Sequence, residues 1–233
     1  MNKAVKIILE VVLLAAIAGL VYLLYSNIMQ PVNFNKEKAN RQAVAVQRLK
    51  DIRTLEVAYK SVTGKFNSSI DSLKQFYETG KMDIVMQIGS LDDSVAVANT
   101  DAIKKANRKL KPAELTAKLA EAYAAGKNVV FSHTTQVPVR DTLFTNRPDF
   151  NVDSLKYIPF SGKEPIQLEA TTKMVSGVPV PLFEARIPWK SLLKGMNNQL
   201  RINLDAESRD LNRYEGLQVG SITTPNNNAG NWE

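Results

Sequence analysis

Side chains able to do acid–base, nucleophilic or metal chemistry are few in this chain. It has one His, His133, and no Cys. Thiol catalysis, zinc held by thiolates and disulfide stapling are therefore excluded, and a transition-metal site would lack its usual ligands. A Ser-His-Asp triad would have to use His133. That residue lies in Val129-Val130-Phe131-Ser132-His133-Thr134-Thr135, a strand-like run with no nucleophile elbow, and reads as a surface or half-buried strand residue. Asp205, Glu207 and Asp210 are close enough for a cation site, but the Gly and distal Glu of a calcium loop are missing. The densest basic cluster is Lys104, Lys105, Arg108, Lys109 and Lys111. It could meet lipid head groups, an anionic glycan or nucleic acid. With no interleaved aromatics, base stacking has no support, and the cluster reads as a solvated helix face. No Gly-rich phosphate loop, dinucleotide fingerprint or paired-carboxylate motif is present. The expectation is a non-enzymatic chain with no cofactor, no metal and no nucleic-acid partner.

The amino-terminal apolar run is more informative. Ile7 to Tyr25 carries a single charge, Glu10. A hydrocarbon core about 30 Å thick takes about 20 apolar residues at 1.5 Å each, so this run is long enough to span. The expected layout is a tail over residues 1–6, a transmembrane helix over 7–25, a linker and stem helix over 26–62, and a body over 63–233. A cleaved signal peptide is the rival, with Ala16-Ile17-Ala18 as an A-x-A-like site, but the run stays apolar through Tyr25 where a cleavage region turns polar. Lys3 and Lys6 precede the run while Lys36, Lys38 and Arg41 follow it, so the positive-inside count is nearly balanced. A short tail stays inside and a long following domain can be translocated despite its charge. The expectation is an inner-membrane, single-pass protein with a cytoplasmic amino terminus and a periplasmic body, its first partner the lipid bilayer. Glu10 lies about one turn inside the run. It could meet an ion, a proton or a partner helix, or snorkel to the near interface beside Lys6. The net charge of +7 suits an anionic surface or an acidic polymer and equally a soluble basic domain.

The remaining elements follow from periodicity. Gln30-Pro31-Val32-Asn33 should break or kink the helix. Asn35 to Val62 is then amphipathic, with Ala45, Leu49, Ile52, Leu55, Tyr59 and Val62 on one stripe and Gln47, Asp51, Arg53 and Glu56 off it. The stripe either packs on its own domain or pairs with a second copy or another envelope protein through Ala45, Leu49 and Ile52. Gly64 ends this helix. A short helix capped by Ser68 or Ser69 runs to about Glu78, and Met82 to Ile88 alternates as a strand. Asp101 is read as a helix cap, and Pro112 opens a second helix to Ala125. Strands are expected at Val129–Thr135, Ile166–Val175, Val180–Ile187, Leu200–Leu204 and Leu217–Ile222, with a hairpin turn at Ser176-Gly177 and one helical turn at Trp189–Leu193. Helices first and strands after predict an α+β fold: transmembrane helix, long amphipathic stem helix, a helical segment and a C-terminal antiparallel sheet. Asn67-Ser68-Ser69-Ile70-Asp71-Ser72-Leu73-Lys74 is echoed at Asn151-Val152-Asp153-Ser154-Leu155-Lys156, either a duplication or a shared capping phrase. The Asn-rich tail ends near Trp232, a residue that docks on its own domain or on a partner.

Two resemblances rest on these residues. The phrases VPVRDTLF, FNVDSLKYIPFSG, GVPVPLFEARIPW and NNNAGNWE resemble an uncharacterised family of single-pass envelope proteins of Bacteroidota, over nearly the full length. This resemblance implies membrane anchoring in a Gram-negative envelope. The anchor, the acid within it and LKDIRTLEVAYKSVTGKFNSSIDSL resemble type IV pilins and the pseudopilins of type II secretion. Those carry a Gly at the processing site before their Glu, and no Gly precedes Glu10. The bitopic assembly subunits of pilus machines share the same layout. The functional expectation is a membrane-anchored structural or scaffold subunit of an envelope assembly. The alternatives are a pilin-like filament subunit and a tethered binding module for an envelope polymer.

Overall fold

The computed structural model describes residues 3–233. In chain order its elements are α1 (Lys3–Thr63), α2 (Ile70–Thr79), β1 (Lys81–Ile88), α3 (Ser94–Ala106), α4 (Pro112–Ala124), β2 (Phe131–Pro138), α5 (Val139–Thr142), a 3₁₀ turn (Val152–Lys156), β3 (Gln167–Val175), β4 (Val178–Pro188), α6 (Trp189–Leu192), α7 (Asn198–Asp210) and β5 (Gly216–Gly220). The fold is α+β with antiparallel sheets, one of them a C-terminal sheet of three strands. Of the tail expected at residues 1–6, the first two residues lie outside the described residues, and α1 has begun by Lys3. The chain divides into two compact units, Met1–Leu73 with Asn151–Glu233, and Lys74–Phe150.

In the first unit, α1 is a single helix of 61 residues, about 90 Å long at 1.5 Å per residue. Of the break or kink expected at Gln30–Asn33, the break does not occur: Pro31 lies inside the helix. A proline there removes one backbone hydrogen bond and costs about 3 kcal/mol. The flanks outweigh it: a long apolar run ends six residues before it at Tyr25, and the buried stripe begins three residues later at Phe34. An 18-residue window of the apolar part of α1 has a mean hydropathy of 2.2 and no burial, and by length and composition the helix is long and apolar enough to cross a membrane. After Pro31 the helix becomes the spine of the unit. Ala45, Leu49, Ile52 and Leu55 are all 0% exposed, and α1 packs on β5, β4, α6 and the 3₁₀ turn. It ends as its sequence requires, with Gly64 at φ +77° and its N–H donated to the Lys60 carbonyl at 2.8 Å.

The sheet runs β3-β4-β5. Val175 pairs with Val178 across a two-residue turn, where Ser176 and Gly177 both have positive φ, 51° and 82°, the backbone a primed hairpin turn needs. Phe183, Ala185 and Ile187 alternate inward from β4 and meet Leu217 and Val219 of β5, all buried. Phe66 closes over Phe183 with ring centroids 4.8 Å apart. At Gly220, φ is +72° and a Cβ would lie 2.3 Å from the Phe183 carbonyl oxygen, so only glycine ends this strand without displacing β4.

Residues 200–204, expected as a strand, are helical within α7. Leu200, Ile202 and Leu204 alternate, but Asn197 Oδ1 accepts the Leu200 N–H at 3.0 Å and starts a helix. Its inward face then follows a spacing of four through Leu200, Leu204 and Ser208, and Ile202 turns outward. A three-residue alternation is too short to outweigh a cap and a polar flank.

The second unit is built on the β1-β2 antiparallel ribbon, registered from Lys81↔Pro138 to Ile88↔Phe131. The expected strand at 129–135 is thus shifted to Phe131–Pro138 and belongs to this ribbon, not to the C-terminal sheet. Leu119, Val129 and Phe131 form its buried cluster, with Ile88, Ile103 and Leu115 packed around them. The cap of α3 is Asp93, which accepts from the N–H groups of Val95 and Ala96. Asp101, expected as a cap, lies inside the helix, because favourable helix spacing extends upstream through Ala96 and Thr100. Pro112 occupies the first turn of α4 as expected. On another side Phe144 stacks on Phe150 at 3.9 Å and Tyr77 meets Phe150 edge-on at 5.3 Å.

The burial pattern sets a stability contrast. Phe183→Ala should cost about 3–5 kcal/mol, while Met174→Ala at the exposed hairpin end should stay within about 0.5 kcal/mol. Denaturant unfolding of the full chain in detergent measures both, and equal losses would contradict the packing described.

Candidate functional site

The residues expected to make contacts fall in two environments along α1. Glu10 is exposed on the bare part of the helix, with exposed Lys6 one turn behind it. Ala45, Leu49 and Ile52 are fully covered by the chain's own unit. Of the two readings of that stripe, intramolecular packing accounts for these three positions. Val62, expected on the stripe, is exposed instead, and Val44 and Val57 are open at other positions around the stem.

Two acids expected off the stripe, Asp51 and Glu56, are buried. The spacing did signal this for Glu56, which falls four residues after Ile52 and seven after Leu49, where the next stripe member belongs. Its acidic identity hid the signal. Glu56 Oε2 accepts the Asn67 N–H at 2.9 Å, and Oε1 is enclosed without a partner. Burial pushes this carboxyl up to about 8, opposed by the Asn67 hydrogen bond. It helps hold the loop that follows α1 while remaining protonated at neutral pH.

Trp232 docks within its own unit. The tail returns along β5, with Gly220 N–H donated to the Ala229 carbonyl and Asn231 N–H to the Gln218 carbonyl, each at 3.0 Å. The Asn231 side chain mimics a further strand residue, accepting from Gln218 N–H at 3.1 Å and donating to the Gly216 carbonyl at 2.9 Å. Arg53 of α1 closes the end, 2.7 Å from the Glu233 carboxylate and 3.2 Å from the Asn228 carbonyl. Gly230 lies flat against the Trp232 ring, where a Cβ would come within 2.4 Å. The indole shares a crevice with Lys38, Gln42 and Trp189.

The acidic cluster weighed as a cation site is not assembled. Asp205, Glu207 and Asp210 all lie on α7, and a helix turns residues two apart to different faces. Asp205 points inward and pairs with Arg201. Among the described residues, no group of three His, Asp or Glu side chains could hold a metal ion. What Asp205 does join is a cleft of about 590 Å³ between α7 and the α6 and β5 approaches, which also holds Lys190, Arg209, Arg213, Tyr214 and Glu215. Arg209 reaches Glu215 at 3.0 Å. Burial raises the Asp205 carboxyl against the pull of Arg201, and burial also raises the Tyr214 phenol. This grouping was invisible in the sequence because it depends on residues 200–204 being helical.

In the second unit His133 stands exposed on β2 opposite Met86. Lys104, Lys105, Arg108, Lys109 and Lys111 are all exposed at the end of α3 and just beyond it. Lys104 also lines a groove of about 490 Å³ with Thr100, Leu115 and Phe131. The two echoed phrases share a local device. Asn67 Oδ1 accepts from Ser69 N–H at 3.0 Å, and Asn151 Oδ1 accepts from Asp153 N–H at 2.9 Å, the same Asx turn opening an α-helix in one place and a 3₁₀ turn in the other.

No family model, no curated protein and no solved structure matches this chain.

The buried carboxyl sets a pH dependence. The folded value of Glu56, about 8, stands above its ordinary 4.5. The folded state therefore holds the proton more tightly, and the stability that this contributes is complete below 4.5 and lost as pH rises through 8. The slope is up to about 1.4 kcal/mol per pH unit. Glu56→Gln should remove this component and leave the variant more stable than the parent by about 1–3 kcal/mol at alkaline pH. Parallel stability–pH curves for the two proteins would contradict it.

Proposed function

We propose that this chain is a single-pass, membrane-anchored structural subunit of an envelope assembly, with its span in the inner membrane, its amino terminus cytoplasmic and its body periplasmic. The observation that carries this reading is the continuity of α1. One helix is bare and apolar at its start and becomes the buried spine of a β-sheet further on. A bare apolar helix in water is unfavourable by the hydrophobic effect, and lipid or other apolar helices are what relieve it. The absence of a break at Pro31 couples the two halves mechanically, so a force or contact on the body reaches the span without a flexible joint. That suits a load-bearing or scaffolding part. The short basic tail and the ease of translocating a long domain support the orientation.

The pilin-like filament reading is the second one, favoured by the same observation: a bare half-helix joined to a half-helix packed on an antiparallel sheet. The lack of a Gly before Glu10 counts against processing of the usual pilin kind. In either reading the contacts that remain for partners are the bare half of α1, Glu10 included, and the open stem positions Val44 and Val57.

The natural absence of Cys makes the test direct. Single Cys residues at Val44 and Val57 are compared with one at buried Ala45, in intact cells under oxidation. Crosslinked adducts at the exposed positions and none at Ala45 are expected, together with labelling of Val57→Cys by a maleimide that cannot cross the inner membrane. A chain that stays monomeric at both exposed positions, or is labelled only after the inner membrane is permeabilised, overturns the reading.

A further inference from the structure

The cleft beside α7 carries an inference independent of the structural role above. Its two ends are fixed by backbone geometry. Helix α7 stops with Asn212 in the left-handed region at φ 52°. Asn212 N–H bonds the Arg209 carbonyl and Arg213 N–H the Ser208 carbonyl, each at 2.8 Å, a Schellman-type closure that sets Arg213 and Tyr214 in place. The opposite end is held where Trp189 N–H meets the Glu215 carbonyl at 3.0 Å, which places Lys190 at the rim.

The charges then divide into two kinds. Arg201 is committed, with three donors on Asn198 and Asp205. Arg209 is committed to Glu215. Lys190 and Arg213 are exposed, and among the described residues neither makes a salt bridge. Lys190 also feels the carboxylate of Glu164, so the cleft presents two exposed cations without ion-pair contacts beside two formed pairs. An Arg fork and a Lys ammonium facing one concavity match a dianion best served by a planar donor and a point charge together.

Opposite in sign is Asp205. The residue is 7% exposed, it forms part of the cleft wall, and its Oδ1 is enclosed with no hydrogen-bond partner. A buried acceptor left unsatisfied is costly, and a ligand hydroxyl satisfies it once the carboxylate turns Oδ1 toward the cleft that Asp205 lines. Tyr214, Pro188 and Ile202 add apolar lining to the cleft. Arg186 already lies over the Tyr214 ring at 5.8 Å from its centroid, which steadies the ring. The volume of about 590 Å³ lies within the range of small-molecule sites.

We propose that this cleft binds a phosphomonoester carried on a polyol, the phosphate held by Lys190 and Arg213 and a hydroxyl donated to Asp205 Oδ1. That chemistry occurs in soluble sugar phosphates and in the phosphorylated sugar headgroups of lipids.

Calorimetric titration of the full chain tests it. In detergent, at fixed ionic strength, the probes are glucose 1-phosphate and methyl phosphate. In phosphatidylcholine nanodiscs, the chain is compared with and without monophosphoryl lipid A. Glucose 1-phosphate should bind at least about tenfold more tightly than methyl phosphate, because only the former supplies the hydroxyl. Lys190→Ala and Arg213→Ala should each weaken it by about tenfold or more. Both positions are exposed, so an unchanged unfolding midpoint certifies the fold of each variant. Saturation by the soluble probe assigns a soluble source. Saturation only by the lipid, with the same sensitivity to Lys190→Ala and Arg213→Ala, assigns a membrane source. Measurable and equal binding of the two soluble phosphates, binding undiminished in both variants, or no binding of either sugar phosphate or lipid overturns the proposal.

Discussion

Burial of one face of α1 beneath β4 and β5 is the constraint on which the first unit depends. Ala45, Leu49, Ile52 and Leu55 have no exposed surface, and Phe183, Ala185, Ile187, Leu217 and Val219 face them as the sheet's buried side chains. A three-stranded sheet alone has one face too many in water. The helix covers that face, and this burial is the main apolar contact that keeps it ordered past Pro31. Each element supplies the surface that the other must hide, and the bare apolar stretch and the packed stem belong to one continuous helix.

Around that apolar contact the polar side chains of α1 act as clasps. Arg41 donates to the Leu192 and Lys194 carbonyls at 3.2 and 3.0 Å and lies over Phe160. Arg48 donates to the Tyr157 carbonyl, and Arg53 takes the Asn228 carbonyl and the Glu233 carboxylate. Three arginines along the helix thus reach three separate segments of the chain. Long guanidinium side chains can do this without losing the packing of their stems on the apolar surface. The same helix holds Glu56 in a place where burial suppresses its charge, and Asn67 anchors the loop upon it. Charge on this helix therefore serves attachment as much as solubility.

The tail shows how a coil with few apolar residues becomes ordered. Asn226 to Asn231 would be read as free on composition alone. Gly230 bridges Val219 and the Asn231 amide substitutes for backbone groups along β5. The open edge of β5 is thereby occupied, which also removes a template for association with another chain. Placing Trp232 beside Trp189 and Lys38 brings the end of the sequence back to the stem.

Local rules were legible wherever one residue type had one physical use. The apolar span, the helix stop at Gly64, the hairpin at Ser176-Gly177, the first turn at Pro112 and the α+β class all followed from sequence, because positive φ, a missing N–H or a long apolar run leaves few options. The stem stripe was legible too, but its partner was not, since a 3.6-residue period records that a face is covered and not by what. Tertiary structure decided that Ala45, Leu49 and Ile52 are covered from within and that β2 joins β1. It decided that 200–204 is helical, and that Asp205 shares a cleft with Lys190 and Arg213. Those outcomes depend on contacts between residues far apart in the chain, whose energies no local window contains.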